Sequence, residues 1–209
     1  MNVEWVTVGP FQENSYLLSE EGRGVLVDPG DEPDRIVEMV TSAHVVVDAI
    51  WLTHAHLDHI GAIAELKRRW NVPVSLHEDD LKLYRRAEQQ AAFYGLSFEQ
   101  PPDPEHFLAH GEVLSVQRQR FAVHHTPGHA PGHVVFLAPG IMIGGDLLFA
   151  GSIGRTDVPF SNPEAMERSL AYVAQFDPDT AVYPGHGPPT TIGSELASNP
   201  YLADLHPAR

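Results

Sequence analysis

The sequence predicts an α/β chain in which two β-sheets are covered by helices. Three observations carry this. Apolar runs of strand length alternate with segments whose apolar residues recur at helical spacing. Some neighbouring strands are joined by hairpin-length turns, so the sheets are mixed and not purely parallel. The same logic of strands and helices returns after a proline-rich connector, which divides the chain into halves of about 1–110 and 111–209. Such elements are stable only when layered around a shared core.

The elements follow in order. Residues 3–8 read as a strand, broken by Gly9-Pro10; residues 11–18 lead into a second and 24–28 form a third, with a hairpin turn between. Asp28-Pro29-Gly30 stops that strand. Asp31 or Glu32 can then cap a helix that has Pro33 in its first turn and Ile36, Val37 and Val40 as its apolar stripe. Residues 45–52 are a strongly apolar strand. A helix from Ile60 to Trp70 follows, then a strand at 72–77, a helix at 78–94 and an irregular connector at 95–111 containing Pro101, Pro102 and Pro104. In the second half, strands are expected at 113–116, 120–125, 134–137, 141–143 and 180–183. Helices are expected from Asn162-Pro163 to about Phe176 and at 192–198.

A chain of 209 residues with 43% hydrophobic content has enough material for one domain with a sizeable core. Its formal net charge of −15 argues against a nucleic-acid surface, which needs basic patches. It has no cysteine, which excludes disulfides, thiolate metal sites and a Cys nucleophile; any metal must be held by His, Asp or Glu. The N-terminus alternates like a strand and lacks a basic head and apolar core, unlike a signal peptide. No apolar run is long enough to cross a membrane. A cytoplasmic protein is expected.

The chemistry concentrates in Thr53-His54-Ala55-His56-Leu57-Asp58-His59, directly after the strand at 45–52. In an extended segment His54 and His56 point to one side. Asp58 and His59 come where the chain turns into a helix, so they can reach a second point nearby. A solvated His-rich turn is the plainer alternative, but ligand-type residues this dense at the end of a buried strand need a reason to be there. Collecting such residues at strand ends gives His54, His56, Asp58, His59, His129, Asp146 and His186. Seven are too many for one tetrahedral zinc and suit two metals sharing a bridging carboxylate.

Thr53 to His59, then Thr126-Pro127-Gly128-His129, Gly145-Asp146 and Gly185-His186-Gly187 resemble the ordered motif set of the metallo-β-lactamase superfamily. Gly128 to His133, Gly151 to Asp157 and Tyr183 to Pro188 resemble its hydroxyacylglutathione hydrolase (glyoxalase II) branch. The resemblance runs from about Phe11 to Tyr201. It implies a four-layer αββα sandwich with a metal site between the sheets at one edge. It assigns His54, His56 and His129 to one ion, Asp58, His59 and His186 to the other, and Asp146 to the bridge. The ions implied are two divalent metals, zinc first, with iron or manganese acceptable to the same nitrogen and oxygen donors.

The activity implied is hydrolysis of a small 2-hydroxyacyl thioester by a metal-bridging hydroxide, with Asp58 doubling as proton acceptor. Expected partners are therefore a small-molecule thioester, with no nucleic acid and no membrane; oligomeric state is open. Full-length glyoxalase II proteins carry a C-terminal helical domain. Here the chain ends at Arg209, soon after His186, so a single domain over 1–209 without that addition is expected. A sister branch, the mononuclear iron persulfide dioxygenases, shares these motifs and would use His54 or His56 with His129 and Asp146. A non-enzymatic metal module is disfavoured, because closed structural zinc sites use four protein ligands.

Around this set, Asp28 reads either as a partner of a ligand histidine or as a turn residue before Pro29. His133 either lines the site, orients His129 or is structural. Asn14 and Tyr16 are expected to fix a strand start. Arg155 and Asp157 are expected in a buried or semi-buried supporting network, and His77, at a strand end, reads either as approaching the site or, more plainly, as a surface loop residue. Tyr84, Phe93 and Tyr94 read as packing residues that could instead wall a substrate cleft.

Overall fold

The computed structural model describes residues 1–202. The first sheet opens with an antiparallel meander of β1 (Asn2–Val8), β2 (Glu13–Glu20) and β3 (Arg23–Val27). The hairpin between β2 and β3 turns on Glu21 and Gly22, both left-handed at φ 51° and 76°, which matches the twist of the flanking strands. Helix α1 (Pro33–Ser42) crosses over to β4 (Val46–Trp51), parallel to β3. Helices α2 (Leu57–Ile60) and α3 (Ile63–Trp70) lead to β5 (Val74–His77); a 3-10 turn and helices α4 (Leu81–Tyr84) and α5 (Ala87–Phe93) lead to β6 (His106–Leu108), all parallel. Spatial order equals chain order, β1 to β6.

The second sheet holds β7 (Val113–Val116), β8 (Gln119–His125), β9 (Val134–Ala138) and β10 (Ile141–Gly145) as an antiparallel meander. A small hairpin of β11 (Leu148–Phe149) and β12 (Ser152–Ile153) and helix α6 (Pro163–Val173) precede β13 (Ala181–Pro184), which pairs parallel to β10. Strand β14 (Thr190–Thr191) edges the sheet and helix α7 (Ile192–Ser198) follows.

Period-two alternation sorts the core into three slabs. Tyr16, Leu18, Val25, Val27 and Trp51 meet Phe121, Val123, Val134, Phe136 and Ile143 between the sheets. Their neighbours Leu17, Leu26 and Ile50 point the other way, into Ile36, Val40, Ile60, Ile63 and Leu66 of the helices. On the far side Val135, Met142 and Val182 meet Met166, Leu170, Val173 and Ile192. The result is helices, sheet, sheet, helices: the four-layer αββα arrangement.

Two expected helices are interrupted, each by a tertiary hydrogen bond. The chain turns helical at Leu57, earlier than expected, and breaks before Ile63, because Ala62 N–H donates to the Pro29 carbonyl (3.1 Å) and not to the Asp58 carbonyl one turn back. The segment 78–94 splits after Tyr84, whose carbonyl accepts from Gln100 Nε2 at 3.0 Å in place of a helical N–H. Strand β6, inside the expected irregular connector, the β11–β12 hairpin and β14 are additions. Among the described residues, no helix is long and apolar enough to cross a membrane.

Candidate metal centre

Parallel strands deliver their C-terminal ends to one edge, and the candidate ligands lie there. Strand β4 ends at Trp51 and releases residues 53–60; the loop after β8 carries His129; β10 ends at Gly145 beside Asp146; β13 ends at Pro184 before His186. His54, His56 and His129 form one group whose donor atoms lie within 4.8 Å of one another, and Asp58, His59 and His186 form a second by the same measure. Asp146 stands between them. Its Oδ2 is 3.3 Å from His129 Nε2 and 3.5 Å from His186 Nε2, and its Oδ1 is 3.5 Å from His59 Nε2. Thus all seven residues singled out from the sequence converge.

Ring orientation is set from behind. His59 Nδ1 lies 3.1 Å from Asp28 Oδ2, His129 Nδ1 2.9 Å from the Arg155 carbonyl and His186 Nδ1 3.3 Å from the Gln12 carbonyl. Each acceptor is an oxygen, so each Nδ1 carries a proton and Nε2 is the ring atom turned to the centre. The Thr53 hydroxyl donates to Asp28 Oδ2 at 2.6 Å, so at 3.0 Å it accepts from His54 Nδ1–H, and Nε2 again faces inward. His56 instead presents Nδ1, 2.7 Å from His129 Nε2.

These residues fit a metal. His54 Nε2, His59 Nε2 and Asp146 Oδ1 are buried without a hydrogen-bond partner. Each such orphan costs about 1–3 kcal/mol if nothing binds it, and three of them among the candidate ligands call for a cation. Burial holds His54 well below the usual imidazole range and, with the field of His129, brings His56 down to about 3, so both stay neutral and able to ligate. Burial disfavours charge on Asp58, but its hydrogen bond to His186 and the fields of His59 and His186 outweigh that and hold it well below the ordinary carboxylate range.

Close approach also requires glycine. A Cβ on Gly185 would lie 2.1 Å from Asp146 Oδ1 and 2.8 Å from His59 Cε1, so no side chain fits there.

Asp28 is buried, sits in the left-handed region at φ 50° and holds both His59 and Thr53, the supporting reading of the two left open. His133 does not orient His129. Its Nε2 accepts the Asp146 N–H at 3.0 Å and its Nδ1 meets Thr126 Oγ1 at 3.0 Å. Asn14 and Tyr16 do more than start a strand: Asn14 Nδ2 donates to the Pro184 and Gly187 carbonyls and Tyr16 OH to Pro184, bracketing His186. Arg155 and Asp157 depart from expectation, since their side chains form an exposed ion pair and only the Arg155 backbone supports the site.

Sequence reasoning missed Glu13 and Asp80. Glu13 is buried, with Oε1 3.9 Å from His59 Nδ1 and Oε2 accepting from Ser15. Asp80 is buried and accepts the Ala55 N–H at 2.9 Å and the Gly132 N–H at 2.5 Å, tying the two ligand loops together. Glu13 opens β2, whose residues are nearly all buried, and no motif in the sequence marks it.

His77, Asp79 and His125 make a separate cluster. The His77 and His125 rings stack at 4.0 Å and 12°, so their in-plane lone pairs run parallel and cannot converge on one ion. Of the aromatics, Tyr84 is core, while Phe93 and Tyr94 line a cleft of about 540 Å³. His56, Asp58, His129, Asp146 and His186 also line it.

The chain is 35% identical over 213 residues to the hydroxyacylglutathione hydrolase GloC of Haemophilus influenzae, spanning 97% of this chain and 98% of that protein. The crystal structure of TTHA1623 in a di-iron-bound form superimposes with a TM-score of 0.90 at 44% identity, covering 96% of this chain and all of that one, 100%. ETHE1 from Myxococcus xanthus superimposes with a TM-score of 0.80 at 27% identity, over 98% of this chain and 85% of that chain. Residues 8–186, from β1 to the last candidate ligand, match the metallo-beta-lactamase superfamily. The chain therefore belongs to the metallo-beta-lactamase superfamily, in its glyoxalase II-like branch.

Proposed function

We propose that the protein is a metal-dependent hydrolase of small 2-hydroxyacyl thioesters, acting on a small molecule and not on nucleic acid or membrane. The observation that carries this is the pairing of two three-residue ligand groups around Asp146 with an adjoining cleft of about 540 Å³. A relative named hydroxyacylglutathione hydrolase, similar along nearly its whole length, supports the substrate class. Zinc leads as the metal, with iron close behind given the di-iron neighbour.

His54, His56 and His129 would hold one ion and Asp58, His59 and His186 the other, with Asp146 shared. Divalent ions bound there supply an acidified water and a Lewis acid for the acyl oxygen. The chain's own part is positioning and proton handling. Asp58 lines the cleft as an ionised carboxylate, with His186 Nε2 3.4 Å from its Oδ2. It accepts the proton of the attacking water as the new C–O bond forms, and the C–S bond breaks to release the thiolate, which takes up that proton. Phe93, Tyr94 and Phe160 give the cleft an apolar wall against which the substrate can lie.

The deciding experiment is thiol release from S-lactoyl thioesters by metal-loaded protein, beside a His54→Ala variant. Metal-dependent release abolished in the variant supports the reading; no release from any acyl thioester refutes it. Metal analysis runs alongside. One iron per chain with oxygen uptake on a persulfide would move the assignment to a mononuclear dioxygenase.

A further inference from the structure

Most lysines and arginines among the described residues meet a carboxylate; Lys82, Arg86, Arg120 and Arg168 do not. In a chain of net charge −15, unanswered cations are scarce. Two of these four stand four residues apart beside the cleft, across the break between α4 and α5. Arg86 lines the cleft, and Lys82 Nζ lies 5.1 Å from the centre of the Phe160 ring, which the Arg86 guanidinium approaches to 6.0 Å. Like charges at this spacing repel each other, and an anion placed between them removes that cost.

Phe160 supplies a second, independent observation. Its φ is 72°, a left-handed conformation that a bulky residue rarely adopts, and its side chain is 41% exposed. The turn is held by Ser161, whose N–H and hydroxyl both donate to the Val158 carbonyl, at 3.1 and 2.7 Å. Backbone strain of this kind persists where the surroundings enforce it, and here it presents an aromatic face at the mouth of the cleft. Phe93, 84% exposed, and Tyr94, 51% exposed, share the same wall. The other guanidinium on the cleft, Arg155, is already paired with Asp157.

We propose that Lys82 and Arg86, gathered on the Phe160 ring, recognise an anionic group on the thiol carrier of the substrate. The substrate class is then a thioester of an anionic thiol, carrying carboxylate or phosphate, with the stem of the carrier lying along the exposed aromatics. This rests on the thioester reading above and names the end of the substrate that reading leaves open.

The test compares metal-loaded wild type, K82A/R86A and K82E/R86E on three thioesters with one acyl group. S-lactoylglutathione carries carboxylates, lactoyl-coenzyme A carries phosphates and S-lactoyl-N-acetylcysteamine is neutral. Expected is a wild-type preference for one anionic carrier, expressed as the ratio of its kcat/KM to that of the neutral ester. That ratio falls about tenfold in K82A/R86A, mainly through KM, falls further on charge reversal and shrinks as salt is added. The preferred anion identifies the source. A ratio equal in all three proteins, or one moved as much by R120A/R168A, overturns the proposal.

Calorimetric titration with S-methylglutathione and with desulfo-coenzyme A separates the two readings. Binding weakened about tenfold in K82A/R86A, in a protein that cleaves no thioester, upholds the anion site and refutes the hydrolase. Thioester cleavage without any charge-sensitive binding or preference does the reverse.

Discussion

Asp28 Oδ2 lies 3.1 Å from His59 Nδ1, and both side chains are buried. The same carboxylate takes the Thr53 N–H at 2.7 Å and the Thr53 hydroxyl at 2.6 Å. One residue outside the ligand set therefore fixes the tautomers of His54 and His59 together. Asp28→Ala removes that control. Metal affinity should fall about 10–100-fold, the usual cost of losing a partner behind a ligand. Metal titration by competition with a chelator measures it, and unchanged affinity would contradict the orienting role.

Gly185→Ala tests the cradle. The added methyl meets Asp146 Oδ1, so the β13 end and Asp146 must move apart. Metal content and activity should collapse while far-UV circular dichroism stays that of wild type. Full metal occupancy in the variant would show that the loop yields without cost.

Asn14→Ala tests the bracket around His186. It deprives the Pro184 and Gly187 carbonyls of a donor, whereas Tyr16→Phe removes only one bond, since Asn14 still serves Pro184. Each lost bond costs about 1 kcal/mol of stability. The Asn14 variant should lose the second metal more readily, seen as a lower metal-to-protein ratio after dialysis. Equal ratios for both variants would count against the bracket.

Asp80 gives a pH signature. Burial pushes its carboxyl up to about 7, against the pull of the Gly132 and Ala55 N–H groups. In the unfolded chain it titrates near ~3.9. The folded state thus binds the extra proton between these values, and stability falls as pH rises from about 4 to 7. Asp80→Asn, uncharged throughout, should flatten that slope in melting temperature. A slope unchanged by the substitution would rule Asp80 out as its source.

The candidate ligands could be picked out because they fall at strand ends beside Gly and Pro punctuation, as at Thr53–His59 and Pro184–Gly187. The strands were legible because sheets covered on both faces read as short apolar runs, as residues 134–137 do. Helix boundaries were less so. Ala62 and Tyr84 have helical sequence surroundings, and each helix breaks where a residue far along the chain, Pro29 or Gln100, takes the hydrogen bond.

By itself the sequence determined that this chain has an α/β core, carries seven candidate metal ligands at strand ends and resembles the metallo-β-lactamase superfamily. Local pattern suffices for those features, since periodicity and ligand chemistry are written residue by residue. Only the tertiary structure decided which groups stand behind the ligands: Asp28 on His59, His133 on the Asp146 backbone, Asp80 between two loops, and Lys82 with Arg86 over Phe160. Those pairings join residues up to 78 positions apart, and burial and hydrogen-bond geometry exist only once the sheets have packed.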